Sequence, residues 1–391
     1  MNFAERVLTA IHHEEPDRVP VMGLIMDPAT VNQILGREPV DLVEMLRNPE
    51  QRAGIRQLLD SEGFWDKTYY SNFSNALEAA IQLGFDANWC IYAFMQLEDD
   101  PDTELGLVWH DVFGRVWQIG SDARGNMAIH YSRGLLETEE QWEAWVERKA
   151  PLFERVIGNA GAFHEKLADE YRDRILPIGY AGPGIFENSW QPIGFVNFTR
   201  FVYEKPDFVK RVVEFHSDFY LRYLEGVMQS SGEIVLGGDD LGQKTVPLMR
   251  PSLIEKLFGE SYRRVADLVH GQGKKFIFHS CGNIEPFLDY FVDWGFDGLI
   301  TLEPTAGMDL ARVREQVGHK LVLIGNLDVS RLLVSGTREE VEEAVKNAIR
   351  AAAPGGGYLL SAAHSHPFVD PTRLRWMVEA AHRYGEYPIR V

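Results

Sequence analysis

His279 and Cys281 stand two residues apart in the run His279-Ser280-Cys281-Gly282. An imidazole and a thiolate at that spacing can both point one way from a tight loop, and both suit zinc. A catalytic zinc takes three protein ligands and keeps one position open. The third candidate is His364, 83 residues beyond Cys281 and at the end of the last predicted strand, which in a closed barrel neighbours the first. His366, Glu303, Asp239 and Glu187 are further candidates, as ligands or as groups that orient them. The plainer reading keeps His279 and Cys281 as loop residues satisfied by hydrogen bonds.

Carboxylates form the second chemical group. Asp239 and Asp240 follow Gly237-Gly238, where small residues let a ligand or a neighbouring backbone come close. Near a cation such a pair stays ionised; in a desolvated pocket one member takes up a proton and acts as an acid. An N-cap or a loop ion pair is the alternative. Glu303 and Glu187 join them as candidates for proton handling, and Asn326, His366, Tyr180 and Asp27 are the candidate substrate-binding residues.

Most of these positions share one property: Asp239, Asp240, His279, Cys281, Glu303, Asn326, His364 and His366 fall where predicted strands end. Six strands are expected in the second half, at Ile175 to Tyr180, Glu233 to Gly238, Lys275 to His279, Gly298 to Leu302, Leu321 to Gly325 and Tyr358 to Ser361. Helical patterns separate or follow them, at 206–229, 252–270, 284–294, 310–316, 338–352 and 371–383, which is the rhythm of repeated βα units. The first half adds Arg18 to Met26 and Ala87 to Phe94, giving eight strands. The expected fold is α/β, a (β/α)8 TIM barrel forming a single domain over 1–391, with an N-terminal helical and β-hairpin elaboration. The hairpin is read from the alternation in Val108 to Trp117, as an insertion at about 106–134 that overhangs the barrel mouth. Arg148-Lys149-Ala150-Pro151 predicts a break between two helices. Gly355-Gly356-Gly357 precedes a strand instead of opening a helix, so it reads as a turn and not a phosphate loop. The aromatic group Trp65, Tyr69, Tyr70, Phe73, Trp89, Tyr92 and Phe94 reads as core, with some members walling the mouth.

Composition sets the class. Of 391 residues 45% are hydrophobic, enough for a large core, yet no apolar run approaches the roughly 18 residues a membrane span needs. No membrane partner is expected. The first residues read as an amphipathic helix and not as a secretory segment, so a cytoplasmic setting is expected. Two cysteines, Cys90 and Cys281, cannot supply a disulfide framework. A formal charge of −19 opposes unspecific nucleic-acid binding and favours a small-molecule or protein partner.

The runs Gly238-Asp239-Asp240-Leu241-Gly242, Lys274 to Asn283, Ile324-Gly325-Asn326-Leu327-Asp328 and Gly355-Gly356-Gly357-Tyr358 resemble the uroporphyrinogen decarboxylase superfamily in order and spacing. Arg18-Val19-Pro20-Val21 and Trp109 to Trp117 resemble the N-terminal half of its methyltransferase-like members. True decarboxylases of this family use no metal and carry an arginine-rich segment near the first strand to grip substrate carboxylates. Here Val21 to Pro28 holds no arginine. The other branch resembles coenzyme M and corrinoid-dependent methyltransferases, in which His-x-Cys and a distant Cys hold zinc. His279 and Cys281 match that pattern, and His364 stands where those enzymes have Cys, which implies a stronger Lewis acid. The resemblance therefore implies a zinc-dependent methyltransferase. It would move a methyl group between a small methylated compound, such as a methyl ether, and a corrinoid protein. The corrinoid would be the partner's, since the sequence has no Asp-x-His-x-x-Gly segment. A metal-free decarboxylase or lyase of the same fold is the alternative, and a ligand-binding barrel without catalysis is a third.

Overall fold

The computed structural model describes residues 1–25, 27–38, 61, 63–92, 98–99, 108–121, 127–182, 184–230 and 232–391, with isolated positions between 41 and 60. Eight parallel strands form the barrel in the order β1 (Met22–Gly23), β2 (Ala87–Ile91), β7 (Leu176–Ala181), β8 (Ile234–Gly238), β9 (Lys275–His279), β10 (Gly298–Thr301), β11 (Val322–Leu327) and β12 (Tyr358–Ala362). Closure comes from a parallel bridge between Val21 and Leu360, with Leu360 N donating to the Pro20 carbonyl at 2.9 Å. The first strand is shorter than the expected Arg18 to Met26, and Met26 itself lies outside the described residues. So does Phe94, the expected end of the second strand.

Alternation along each strand divides the apolar side chains between two cores. Leu236, Ile277, Ile300, Ile324 and Leu359 fill the barrel interior, which the first helix (Phe3–Ile11) closes with Val7, Ala10 and Ile11. That plug sits at the N-terminal end of the strands, since Gly357, just before β12, donates to the Ala10 carbonyl. The outer core lies between the strands and the surrounding helices. Gly355, Gly356 and Gly357 all adopt positive φ in the turn after the Arg338–Ala352 helix, as their position implied. A Cβ at Gly356 would meet the Glu14 backbone at 2.5 Å, so this turn is shaped to seat the plug.

The insertion is larger than a hairpin. It is a four-stranded antiparallel sheet in the order β3 (Glu98–Asp99), β4 (Val108–His110), β5 (Arg115–Ser121) and β6 (Met127–Gly134). Residues 106–107 and 122–126 of the expected range lie outside the described residues. Two residues of β3 pair with Trp109 and His110, too short a segment to leave a sequence signature. Next, Glu139–Tyr171 is one continuous helix containing Pro151, where a break was expected. Trp142, Trp145, Phe153, Val156 and Ala160 form a buried stripe on this helix, which packs along the Pro206–Ser230 helix. Packing overrides the local cost, because Pro151 and Glu147 are exposed and water can reach the carbonyl that proline leaves unbonded. Two helices that the sequence reading did not include, Ile185–Trp190 and Phe195–Glu204, follow β7. Among the described residues no helix is long and apolar enough to cross a membrane.

Candidate metal centre

His279 ends β9, and Cys281 sits on the turn after it. Gly282 at φ 78° makes that turn: a Cβ there would lie 2.5 Å from the Gly242 backbone, so the Cys281 loop and the loop after Asp240 are pressed together. Asn283 N donates to the Gln243 carbonyl at 2.7 Å and ties them. His364 lies two residues past β12. One ligand atom from each of His279, Cys281 and His364 falls within 4.8 Å of the others.

Both rings are held by their Nδ1 atoms. His279 Nδ1 lies 2.7 Å from Thr301 Oγ1, and His364 Nδ1 lies 2.6 Å from the Ser365 carbonyl. A carbonyl only accepts, so His364 donates from Nδ1, an arrangement that in the neutral ring leaves the lone pair on Nε2. His279 Nε2 lies 3.5 Å from Cys281 Sγ. Burial holds the His279 pKa down at about 4, so the ring is neutral and able to ligate. Burial, reinforced by Asp240, pushes the Cys281 thiol up. Two imidazoles and a thiol that converge in this way fit zinc, and a bound cation would draw the thiol proton off.

The four carboxylates divide into different tasks. Asp239 is buried and its oxygens accept from Phe186 N (3.0 Å), Glu187 N (2.8 Å) and the Tyr262 hydroxyl (2.8 Å). It therefore caps the Ile185–Trp190 helix, and Gly184 is glycine because a Cβ would lie 2.4 Å from this carboxylate. Asp240 accepts from Cys281 N at 2.9 Å and lies 3.7 Å from His279 Nε2, while Glu303 accepts from Gly282 N at 3.2 Å and from Thr305 Oγ1 at 2.8 Å. These two carboxylates pin the backbone of the ligand loop. Glu187 reaches the same cluster, accepting from Asp240 N at 3.3 Å and from Gln191 Nε2 at 2.8 Å. Burial, then Asp240 and Asp239, push its pKa well above the ordinary range. Burial also pushes Asp239 up to about 7, but three donors favour its charged form, whereas burial and two neighbouring carboxylates favour the protonated form of Glu187.

The remaining candidates sit around this centre in varied roles. Tyr180 and Trp89 stack edgewise on each other at 5.1 Å and both meet the His279 ring, at 6.1 and 5.6 Å. Trp89, read from the sequence mainly as core, thus walls the site. Phe73 and Tyr92 of the same aromatic group are buried, and the side chain of Trp65 lies outside the described residues. His366 and His364 line a recess with Met22, Leu24 and Thr30 that has room for about one water, about 20 Å³. Asn326 donates from Nδ2 to the Leu302 and Met308 carbonyls at 3.0 and 3.2 Å, and Asp27 caps the Pro28–Ile34 helix through Ala29 N at 3.0 Å. Both are occupied in holding backbone.

A network not foreseen from the sequence joins the insertion to the site. Arg115 on β5 is buried against Asp111, with Nε 2.6 Å from the carboxylate, and Nη1 donates to Gln191 Oε1 at 3.1 Å. Gln191 in turn holds Glu187. The only sequence signal was the Asp111-to-Arg115 spacing in the predicted hairpin.

The family model for uroporphyrinogen decarboxylase (URO-D) matches residues 165–384, more than half of the chain. The chain belongs to that family. Its curated relatives include the uroporphyrinogen decarboxylase of Myxococcus xanthus (strain DK1622), 26% identical over 219 residues, which cover 54% of this chain and 60% of that one. The uroporphyrinogen decarboxylase of Klebsiella pneumoniae (strain 342) is 38% identical over 76 residues, 19% of this chain and 21% of that one. The chain thus spans less than two thirds of the length of these relatives. Among solved structures, a methyltransferase from Methanosarcina mazei superposes with a TM-score of 0.66 at 16% identity, covering 98% of this chain and 99% of that one. A B12-independent methionine synthase from Shewanella sp. W3-18-1, in complex with selenomethionine, gives 0.51 at 10% identity, covering 93% and 96%. Both likenesses are of fold.

Proposed function

We propose that this family member is a zinc-dependent methyltransferase that moves a methyl group between a small methylated compound, such as a methyl ether, and a corrinoid protein in the cytoplasm. The observation that carries the reading is the convergence of His279, Cys281 and His364, with one ligand atom of each within 4.8 Å of the others and both rings held at Nδ1. Zinc held there would supply a Lewis acid that polarises the heteroatom bearing the methyl group. The corrinoid, brought by a partner, would exchange that methyl group.

The protein's own residues do the rest. Trp89 and Tyr180 form an aromatic wall beside His279, suited to the apolar part of a methylated compound. Asp240 and Glu303 hold the Cys281 turn in place. Glu187, kept protonated by burial, is the source of the proton taken up by the oxygen left when the methyl group departs.

A decarboxylase reading has the curated relatives in its favour, yet it needs cationic side chains near the first strand to grip substrate carboxylates. Arg6 and Arg18, which flank β1, are instead engaged with Asp86 at 2.7 and 2.9 Å, next to the start of β2 and at the opposite end of the barrel from Cys281. Metal analysis with a methyl-transfer assay tests the proposal. Stoichiometric zinc, lost on Cys281→Ser, together with methylation of cob(I)alamin by one of a panel of methyl ethers, is the expected result. Metal-free protein with undiminished activity would overturn it.

A further inference from the structure

Thr301 closes β10, next to His279 in the sheet, where Ile300 is the register partner of His279. Side chains alternate along a strand, so Leu299 and Thr301 should face the helices while Ile300 and Leu302 face the barrel interior. Leu299 lies in the outer core and Ile300 in the interior, as alternation requires. Leu302 then breaks the pattern: it too lies in the outer core, three residues after Leu299. The slip falls at Thr301, whose φ is 98°, followed by Leu302 at 48°. A β-branched residue in this region is an outlier that the surroundings must enforce. Gly325 on β11 provides the space, since a Cβ there would lie 2.7 Å from the Thr301 carbonyl. The result is that a fully buried Thr301 turns its hydroxyl inward, 2.7 Å from His279 Nδ1.

We propose that Thr301 is the positioning residue of the metal centre: its hydroxyl accepts from His279 Nδ1 and so fixes the ring tautomer that presents the Nε2 lone pair beside Cys281 Sγ. The ring has two neutral tautomers, and the other would aim an N–H at the sulfur and offer no lone pair there. The other ligand groups are oriented differently. His364 is held by a main-chain carbonyl, and the Cys281 and Gly282 amides by Asp240 and Glu303. Among the described residues, Thr301 is thus the side chain that meets a ligand ring at Nδ1. This role rests on the zinc reading of the site.

Zinc binding to the apoprotein, measured by competition with a chromophoric chelator, tests it. Wild type should bind one zinc; if it binds none, the zinc reading itself fails. Given that binding, Thr301→Ser should keep the affinity within about threefold, whereas Thr301→Val and Thr301→Ala should each weaken it roughly 10–100-fold. Undiminished affinity in folded Thr301→Val protein, or equal loss in the serine and valine variants, would overturn the role. Should the substituted proteins not fold, nitrogen NMR of the histidine rings in the wild-type apoprotein decides. His279 protonated at Nδ1 is expected, and His279 protonated at Nε2 overturns the proposal.

Discussion

A protonated carboxylic acid beside a metal site is useful only if it can release its proton to one place. Glu187 is tied to Gln191 and to Asp240 N, and Gln191 is tied to a buried Arg115. Arg115 is itself engaged by Asp111, so its pull on Glu187 is blunted and burial prevails. The sign for pH follows. A group whose pKa is raised and which must act as an acid is lost as pH rises through that value, giving an alkaline limb in kcat/KM. In Glu187→Gln that limb should vanish or move, with activity falling by roughly 10²–10⁴-fold, in line with the loss of a general acid. An unaltered alkaline limb in the variant would place the proton on another group. At this scale the sequence was informative about the ligands, because His, Cys and strand ends are visible in one dimension. It was uninformative about Thr301, whose role depends on a slip in strand parity, and about Gln191, which matters only once the insertion folds over Glu187.

Elements show a similar division. All six strands expected in the second half lie within a residue or two of their predicted ends, since buried parallel strands read as runs of β-branched and aliphatic residues. The largest departure is the fifth, read as Leu321 to Gly325, which extends to Leu327 because Asn326 and Leu327 pair with Ser361 and Ala362, a pairing that a hydropathy pattern does not reveal. The insertion was harder to bound because its anchors are single contacts: Tyr131 hydroxyl to the Gln191 carbonyl at 2.8 Å, Trp145 Nε1 to the Val112 carbonyl at 2.7 Å, and Leu136 N to the Pro192 carbonyl at 2.9 Å. Gly134 is the tightest of them, as a Cβ would come within 2.2 Å of the Pro192 carbonyl oxygen. Backbone cannot yield there as a side chain would. Gly134→Ala should therefore lower stability by about 1–3 kcal/mol, measured by urea unfolding, and should loosen the Arg115 network. Pro151→Ala should act in the opposite direction. It restores a hydrogen bond in the middle of the Glu139–Tyr171 helix and should raise the unfolding midpoint, and a lower midpoint would mean that proline's stiffening of the unfolded chain outweighs the missing bond.

For the molecule as a whole, two buried histidines outside the candidate metal centre contribute to the response to acid. His164 and His216 are buried, and burial holds each near a pKa of about 3, with Arg115 adding to the effect on His216. Among the described residues, neither His164 Nε2 nor either ring nitrogen of His216 has a hydrogen-bond partner. Unfolded, each would titrate near 6.5. Both groups are depressed in the folded state, so the unfolded chain binds more protons as pH falls below about 6.5. The stability they contribute is complete above that pH and declines toward pH 3, each adding up to ~1.4 kcal/mol per pH unit. Urea unfolding between pH 7 and 4 should show a flatter dependence in His216→Phe and in His164→Leu. An unchanged slope in both would assign acid sensitivity to other groups, such as His279 and the carboxylates.

The ligands and the groups that orient them all come from β8 onward, from Asp240 to Ser365, whereas Trp89 and the sheet that bears Arg115 come from the first third of the chain. The family match begins only at residue 165 and takes in every ligand. The two parts therefore divide the proposed function: one carries the groups that would coordinate zinc, the other the surfaces beside which a compound would fit. On the zinc reading, exchanging residues 98–134 between relatives should redirect substrate choice and leave zinc content unchanged, the barrel serving as a fixed socket with an interchangeable gauge.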